Sequence, residues 1–289
     1  MTDPRSSPPL PSRVGIIGGG RMGAGIAHAF LLAGARVTIV ERDADAAEAA
    51  TARVRADVGR SLARGAVDDG EALMGRLDAG TDAAALADAG LVVEAVPEDR
   101  DMKAAALARA EQAAPGAVLA TNTSSISIDA LAAGLTRPER FLGLHFFNPV
   151  PASLLVEVVR GTATAAEVRA AAEAWVAAIG KRAVVVDDSP GFASSRLGVA
   201  LALEAIRMLE EGVAEAADID AAMELGYRHP VGPLRTTDIV GLDVRLGIAE
   251  ELAATLGERF APPQLLRDLV AAGRLGRKSG HGFYDWSGS

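Results

Sequence analysis

Residues 13–41 read RVGIIGGGRMGAGIAHAFLLAGARVTIVE. A short β-branched run, residues 13–18, stops at a glycine cluster; a helical pattern follows over 21–33 and ends at Gly34; a second β-branched run, 36–40, ends in Glu41. Strand, glycine turn, helix and strand in that order open a dinucleotide-binding α/β fold. Gly18 permits the tight turn, Gly20 lets a pyrophosphate approach the backbone amides, and Gly23 lets helix and strand pack closely. The phosphates belong at the positive end of the helix. Glu41 stands 18 residues beyond Gly23, where a carboxylate accepts hydrogen bonds from the adenosine ribose hydroxyls and repels a 2′-phosphate. NAD is therefore expected rather than NADP. Arg42 beside it is suited either to pair with a 2′-phosphate or to point into solvent.

The alternation continues outward. Residues 91–96 (LVVEAV), 117–121 (AVLAT) and 141–146 (FLGLHF) read as strands, with a helix over 98–114; 154–159 (LLVEVV), a helix over 165–179 and a last strand at 183–186 follow the turn Asn148-Pro149-Val150-Pro151. Buried-type strands alternating with helices make a parallel sheet covered on both faces. Residues 43–89 are charged and helical in pattern and are expected to form an inserted helical pair standing off the sheet. Ser189-Pro190-Gly191 punctuates the end of the last strand, and beyond it come helical patterns at 193–211, 217–225, 241–256 and 263–272. The expected organisation is α/β: a flexible leader (1–12), a Rossmann-type NAD-binding domain (13–188) and an all-helical C-terminal domain (189–289).

A chain of 289 residues suits two domains. Apolar residues at 49% and charged residues at 23% fit a globular protein. No apolar run approaches the roughly 18 residues a membrane span needs, and the Pro- and Ser-rich start lacks the apolar stretch of a secretory signal. A cytoplasmic, membrane-free protein is expected. The absence of cysteine excludes disulfides, a cysteine nucleophile and thiolate metal sites, and no metal is expected. A net charge of −9 argues against nucleic acid as a partner.

Among the histidines, His28 lies within the first helix and reads as a packing residue, whereas His229 and His281 fall in turns. His145 lies near the end of a strand, at the sheet edge where open α/β folds place ligand chemistry. Glu157, twelve residues on, interrupts an apolar strand, and an acid there is costly to bury unless paired. A strand–turn–strand path brings Glu157 back beside His145. Oxidising a secondary alcohol requires a proton acceptor for the hydroxyl, and a neutral imidazole suits that task near pH 7. Glu157 would fix its tautomer and stabilise the imidazolium. A structural hydrogen bond explains the same spacing. Ser124 and Ser125 follow the strand ending at Thr121, placed to offer a hydroxyl to the substrate oxygen.

From IGGGRMGAGIA through VVEAVPED, ATNTSSISI, GLHFFNPVP, LVEVVRG, DSPGF and GPLRTTDIVGLDV to GRKSGHGFY, the chain resembles the 3-hydroxyacyl-CoA dehydrogenase family. The resemblance implies a Rossmann-type domain followed by a helical domain that forms a homodimer, and an acyl-CoA substrate. It implies His145 as general base, Glu157 as its partner and Ser124 as a hydrogen-bond donor near substrate and nicotinamide. It further implies cofactor contacts for Gly18, Gly19, Gly20, Arg21, Met22, Gly23, Glu41, Glu98, Lys103, Asn122 and Lys278. The family pattern GFxxNR carries Asn where this chain has Ser195, so Ser195 is the expected, shorter donor near the substrate carbonyl. Arg60 and Arg64 are candidates for CoA binding, or for a solvated helix face. The expected reaction interconverts (S)-3-hydroxyacyl-CoA, of the 3-hydroxybutyryl-CoA type, and 3-oxoacyl-CoA. Alternatives are a 3-hydroxyadipyl-CoA substrate, a gulonate-type hydroxy acid, or an idle NAD-binding protein.

Overall fold

The computed structural model describes residues 9–288. Strand β1 (Arg13–Ile17) is buried from Val14 onward, so its branched side chains face helices on both sides. It pairs in parallel with β2 (Arg36–Val40) and with β4 (Leu91–Glu94). The sheet has eight strands in the order β3-β2-β1-β4-β5-β6-β7-β8, completed by β3 (Leu77–Gly80), β5 (Val118–Thr121), β6 (Phe141–Phe146), β7 (Leu155–Arg160) and β8 (Arg182–Asp187). β1 to β6 run parallel, β7 runs antiparallel to β6, and β8 parallel to β7. The strand order reverses at β1. The carboxyl ends of β1 and β4 therefore flank the topological switch point, where such sheets hold ligands.

Helix α1 (Arg21–Leu32) follows the glycine turn and buries Ile26, Ala27, Phe30 and Leu31. The segment after β2 departs from the expected free-standing helical pair. Asp43 caps α2 (Ala44–Ala63), whose Ala50, Val54 and Val58 belong to the sheet's own core. The short α3 (Gly70–Met74) then leads back into the sheet as edge strand β3, in register with β2. β3 carries a single large apolar residue, Leu77, too little for a strand pattern to register. Asp99 caps α4 (Arg100–Ala113), and α5 (Ile128–Ala132) and α6 (Ala166–Ala178) complete the cover. The end of the expected leader is tied down: Trp175 of α6 donates to the Pro9 carbonyl at 3.0 Å, and Leu10 packs on the core. Residues 1–8 of that leader lie outside the described residues.

The chain divides into two compact units between Ser189 and Pro190. The second holds α7 (Ser194–Glu210), α8 (Ala216–Tyr227), α9 (Pro233–Val240), α10 (Leu242–Leu256) and α11 (Gln264–Ala271) around Val199, Leu203, Ile206, Leu234 and Leu252. Its chain end is pinned by two buried aspartates. Asp238 accepts from Phe283 N, Tyr284 N and Trp286 Nε1, and Asp220 from Leu234 N, Arg235 N and the Tyr284 hydroxyl. Among the described residues no helix is long and apolar enough to cross a membrane.

Candidate active site

The glycine turn is built for a close backbone approach. Gly18 sits at φ +91, and a Cβ on Gly23 would lie 1.8 Å from the Gly18 carbonyl oxygen, so only glycine lets α1 meet β1 here. A Cβ on Gly20 would meet nothing within 4 Å, which leaves its face to a ligand. No side chain caps the N-terminus of α1 and no acid lies in its first turn, so its amides suit an incoming anion. The turn borders a cleft of about 880 Å³ lined by Arg21, Met22, Glu41, Arg42 and Val96. Glu41 at the end of β2 accepts from Gly19 N at 2.6 Å, which fixes its carboxylate over the turn. Arg42 pairs with Asp43 at 2.9 Å and is exposed. The residues fit a dinucleotide with unphosphorylated ribose.

Beyond β4 lies a buried polar relay. Lys103, 1% exposed, binds Glu94 at 2.9 Å, the Val96 carbonyl at 3.3 Å and Glu98 at 3.3 Å. Glu98 Oε1 then gathers the loop after β5: Thr123 Oγ1 donates at 2.6 Å, Ser124 N at 2.7 Å and Ser125 N at 3.1 Å. Burial raises the Glu98 carboxyl, but Lys103 and these donors outweigh it and hold it below the ordinary range. Ser124 Oγ donates to Glu98 at 3.1 Å. In that rotamer it presents lone pairs outward, as an acceptor, and the expected donation to a substrate oxygen requires the hydroxyl to turn. Asn122 donates its N–H to the Glu94 carbonyl and accepts from Phe146 N at 2.9 Å, stitching β5 to β6 one residue past His145.

His145 and Glu157 are direct cross-strand partners in the antiparallel β6–β7 pair. Neighbouring side chains on one sheet face meet at this register, and His145 Nδ1 stands 2.7 Å from Glu157 Oε2 with both side chains buried. The Phe147 ring lies 4.5 Å from the imidazole, centroid to centroid. The short bond and the burial favour the tautomer that donates Nδ1–H to the carboxylate, which makes Nε2 the basic ring atom.

The remaining expected residues stand on other elements: Arg60 and Arg64 on α2 and at its end, Ser195 and Lys278 in the helical unit. Arg60 on α2 pairs with Asp57, and Arg64 at the C-terminal end of α2 is exposed. Ser195 is half-buried in the first turn of α7, and Lys278 pairs with Asp243 at 2.6 Å; both belong to the helical unit. His28 is buried in α1 against Ser61 Oγ at 3.0 Å. Sequence reasoning missed Glu94, although the signal was the one that identified Glu157: an acid inside an apolar strand. It also missed Thr123, whose hydroxyl organises the 123–126 loop.

A sheet with its switch point at a glycine turn, NAD-compatible residues around that turn, and a buried His–Glu pair together define a nucleotide-dependent dehydrogenase fold. The family model described as the 3-hydroxyacyl-CoA dehydrogenase NAD binding domain matches residues 13–189, and that of the family's C-terminal domain matches 191–286. The chain belongs to the 3-hydroxyacyl-CoA dehydrogenase family, and NAD is its cofactor. It is 42% identical over 280 residues to a 3-hydroxybutyryl-CoA dehydrogenase of Mycobacterium tuberculosis, covering 95% of this chain and 98% of that one. It is 42% identical over 278 residues to a 3-hydroxyadipyl-CoA dehydrogenase of Escherichia coli, of which it spans 58%. The crystal structure of the (S)-3-hydroxybutyryl-CoA dehydrogenase of Ralstonia eutropha superposes with a TM-score of 0.92 at 38% identity, covering 96% of this chain and 99% of that one.

Proposed function

We propose that this protein interconverts (S)-3-hydroxyacyl-CoA and 3-oxoacyl-CoA, with 3-hydroxybutyryl-CoA as the short-chain reference substrate. The observation that carries this reading is the buried 2.7 Å contact between His145 and Glu157. NAD supplies the hydride acceptor. In the oxidation direction the substrate hydroxyl gives its proton to His145 Nε2 as the C–H hydride leaves, and the C–O bond becomes a carbonyl. Glu157, held at Nδ1, stabilises the imidazolium so formed. Reduction returns the same proton. Glu98, anchored by Lys103, holds Ser124 beside the reacting oxygen, and Ser195 is assigned to the substrate carbonyl. Gly18 to Gly23, Glu41, Glu98, Asn122 and Lys278 are assigned to the cofactor, and Arg60 and Arg64 to CoA; Lys103, buried against Glu94 and Glu98, is assigned to holding Glu98 in place of the expected direct cofactor contact.

Two wider assignments accompany the reaction. The helical unit exposes Leu197, Leu225 and Tyr227 at 70%, 85% and 75%, which supports a homodimer through that unit, and sedimentation of the full chain tests it. A cytoplasmic location accords with NAD-dependent acyl-CoA chemistry. A second substrate reading, with a carboxylate at the far end of the acyl chain, is favoured by Arg245 of α10, which is 9% exposed and whose Nε has no acceptor among the described residues. The test of the reaction is acetoacetyl-CoA-dependent loss of NADH absorbance. His145→Ala is expected to lower that rate about 10²- to 10⁴-fold, the span of general acid–base effects. NADH binding with no acetoacetyl-CoA turnover in the wild type would instead support an idle NAD-binding protein.

A further inference from the structure

Helix α10 turns one stripe toward the core of the helical unit: Leu242, Arg245, Ala249 and Leu252. The spacing calls for an apolar side chain at every position, and Arg245 breaks it. The residue is only 9% exposed, and its buried Nε has no acceptor among the described residues. Burial alone acts on the guanidinium and pulls its proton affinity down, with no carboxylate acting in the opposite direction. The other fully buried charges are matched: Lys103 with Glu94, Glu157 with His145, and Asp220 and Asp238 with backbone and aromatic donors. Arg245 differs from these: its Nε has no acceptor among the described residues.

The space it fills is made by glycine. A Cβ on Gly198 of α7 would lie 3.4 Å from one terminal nitrogen of Arg245 and 3.9 Å from the other, so a larger side chain at 198 would occupy the guanidinium's place. Gly198 follows Ser195 by three residues, and residues three apart share a helix face. The guanidinium, its Nε unmatched, therefore lies against the stripe of α7 that begins at Ser195.

A buried charge without a partner is strongly disfavoured, and the usual remedy is an anion or a change in ionisation. Guanidinium remains charged under ordinary conditions, so the remedy here is an anion brought by a ligand. A planar fork with one positive charge matches a carboxylate, which it binds in two parallel hydrogen bonds. A phosphate dianion would leave a net charge buried. We propose that Arg245, lying over Gly198 beside Ser195, receives the distal carboxylate of the acyl chain, so that the preferred substrates are CoA thioesters of 3-hydroxy dicarboxylic acids. This rests on the reading that Ser195 stands at the acyl end of the site.

The test is calorimetric binding of adipyl-CoA and hexanoyl-CoA to the full chain loaded with NADH. These probes share a chain length, differ in the terminal carboxylate and do not react. The wild type is expected to prefer adipyl-CoA about 10- to 100-fold, the span of a charge-assisted pair. Arg245→Met is expected to abolish that preference and Arg245→Lys to retain part of it. Arg245→Met is also expected to leave the ligand-free melting midpoint unchanged or raised, because replacing an uncompensated buried charge by an apolar side chain is neutral or stabilising. Equal binding of the two probes by the wild type, or a tighter grip on hexanoyl-CoA, overturns the proposal, as does a lowered ligand-free midpoint in Arg245→Met. The wild-type comparison decides even if the variant does not fold. An adipyl-CoA preference without turnover of acetoacetyl-CoA or 3-oxoadipyl-CoA would leave the carboxylate site standing and remove the reaction reading.

Discussion

Replacing Glu157 with Gln keeps the shape of the side chain and removes its charge. The amide oxygen can still accept the Nδ1–H of His145, so the tautomer is preserved; what disappears is the attraction between a carboxylate and the imidazolium that forms during oxidation. That contact is 2.7 Å long with both partners buried, so solvent screens it little. Hydrogen bonds involving a charged group contribute about 1.5–3 kcal/mol, and each 1.36 kcal/mol is about tenfold in rate. The expected loss in kcat is therefore about 10- to 150-fold, smaller than for His145→Ala. Because Glu157 is argued to act through His145, the two changes are not independent. In an His145→Ala background, Glu157→Gln should change the remaining rate by less than about threefold, a coupling that neighbouring residues on one pathway show. Steady-state NADH oxidation with acetoacetyl-CoA gives the four rates of the cycle, and circular dichroism and melting midpoints establish that β6 and β7 remain paired. Losses that multiply in the double variant, or a Glu157→Gln enzyme with more than a third of wild-type kcat, would refute the reasoning.

Other consequences follow from the same geometry. Gly23→Ala places a methyl 1.8 Å from a backbone oxygen that cannot rotate away; it should lower the denaturation midpoint, at a cost of about 1–3 kcal/mol for overpacking, and weaken NADH binding in a fluorescence titration. Unchanged values for both would show that α1 and β1 do not meet as described. Glu98 titrates below its ordinary range because Lys103, Thr123 and Ser124 outweigh its burial; its contribution to stability is present above about pH 4.3, the unfolded value, and is lost as pH falls through the lower folded value. Glu98→Gln should flatten that acid limb of the stability profile. Burial lowers the His28 pKa, so the folded chain binds fewer protons than the unfolded one, and stability should decline as pH falls below about 6.5. His28→Leu should remove that slope between about pH 5 and 6.5. Tyr284 is raised by burial and by Asp220, so its contribution is present below about pH 10 and lost at higher pH; Tyr284→Phe should blunt the alkaline loss at a cost of about 0.5–1.5 kcal/mol per hydrogen bond removed, read by denaturation at pH 8 and pH 10.5.

Legibility in this chain followed burial. β1, β2, β4 and β6 could be read because buried strands need mostly large apolar side chains, and a glycine, an acid or a proline closes each run. β3 escaped because an edge strand has one neighbour and Leu77-Asp78-Ala79-Gly80 buries little. α9 escaped because Gly232-Pro233 reads as a turn, while Thr237 and Asp238, polar in sequence, face the core. The pairing of His145 with Glu157 was legible because a strand, a proline turn and a strand fix which residues oppose each other.

Cross-strand register could not show the relay through Glu94, Lys103 and Glu98, which joins a strand, a loop and a helix that meet only in the fold. One rule nevertheless reaches Glu94, Glu157 and Arg245: a charge on a stripe the pattern assigns to the core must find a counter-charge or a hydrogen-bonding partner. Applied to LVVEAV it points to Glu94, matched by the Lys103 ammonium, and applied to LLVEVV it points to Glu157, matched by the Nδ1–H of His145; both partners are supplied by the protein. Applied to the α10 stripe it points to Arg245, whose Nε finds no acceptor among the described residues. The rule thus separates two uses of a buried charge. Matched within the protein, the charge positions catalytic groups. Left unmatched on a rigid helix face, it selects for a ligand that brings the missing anion.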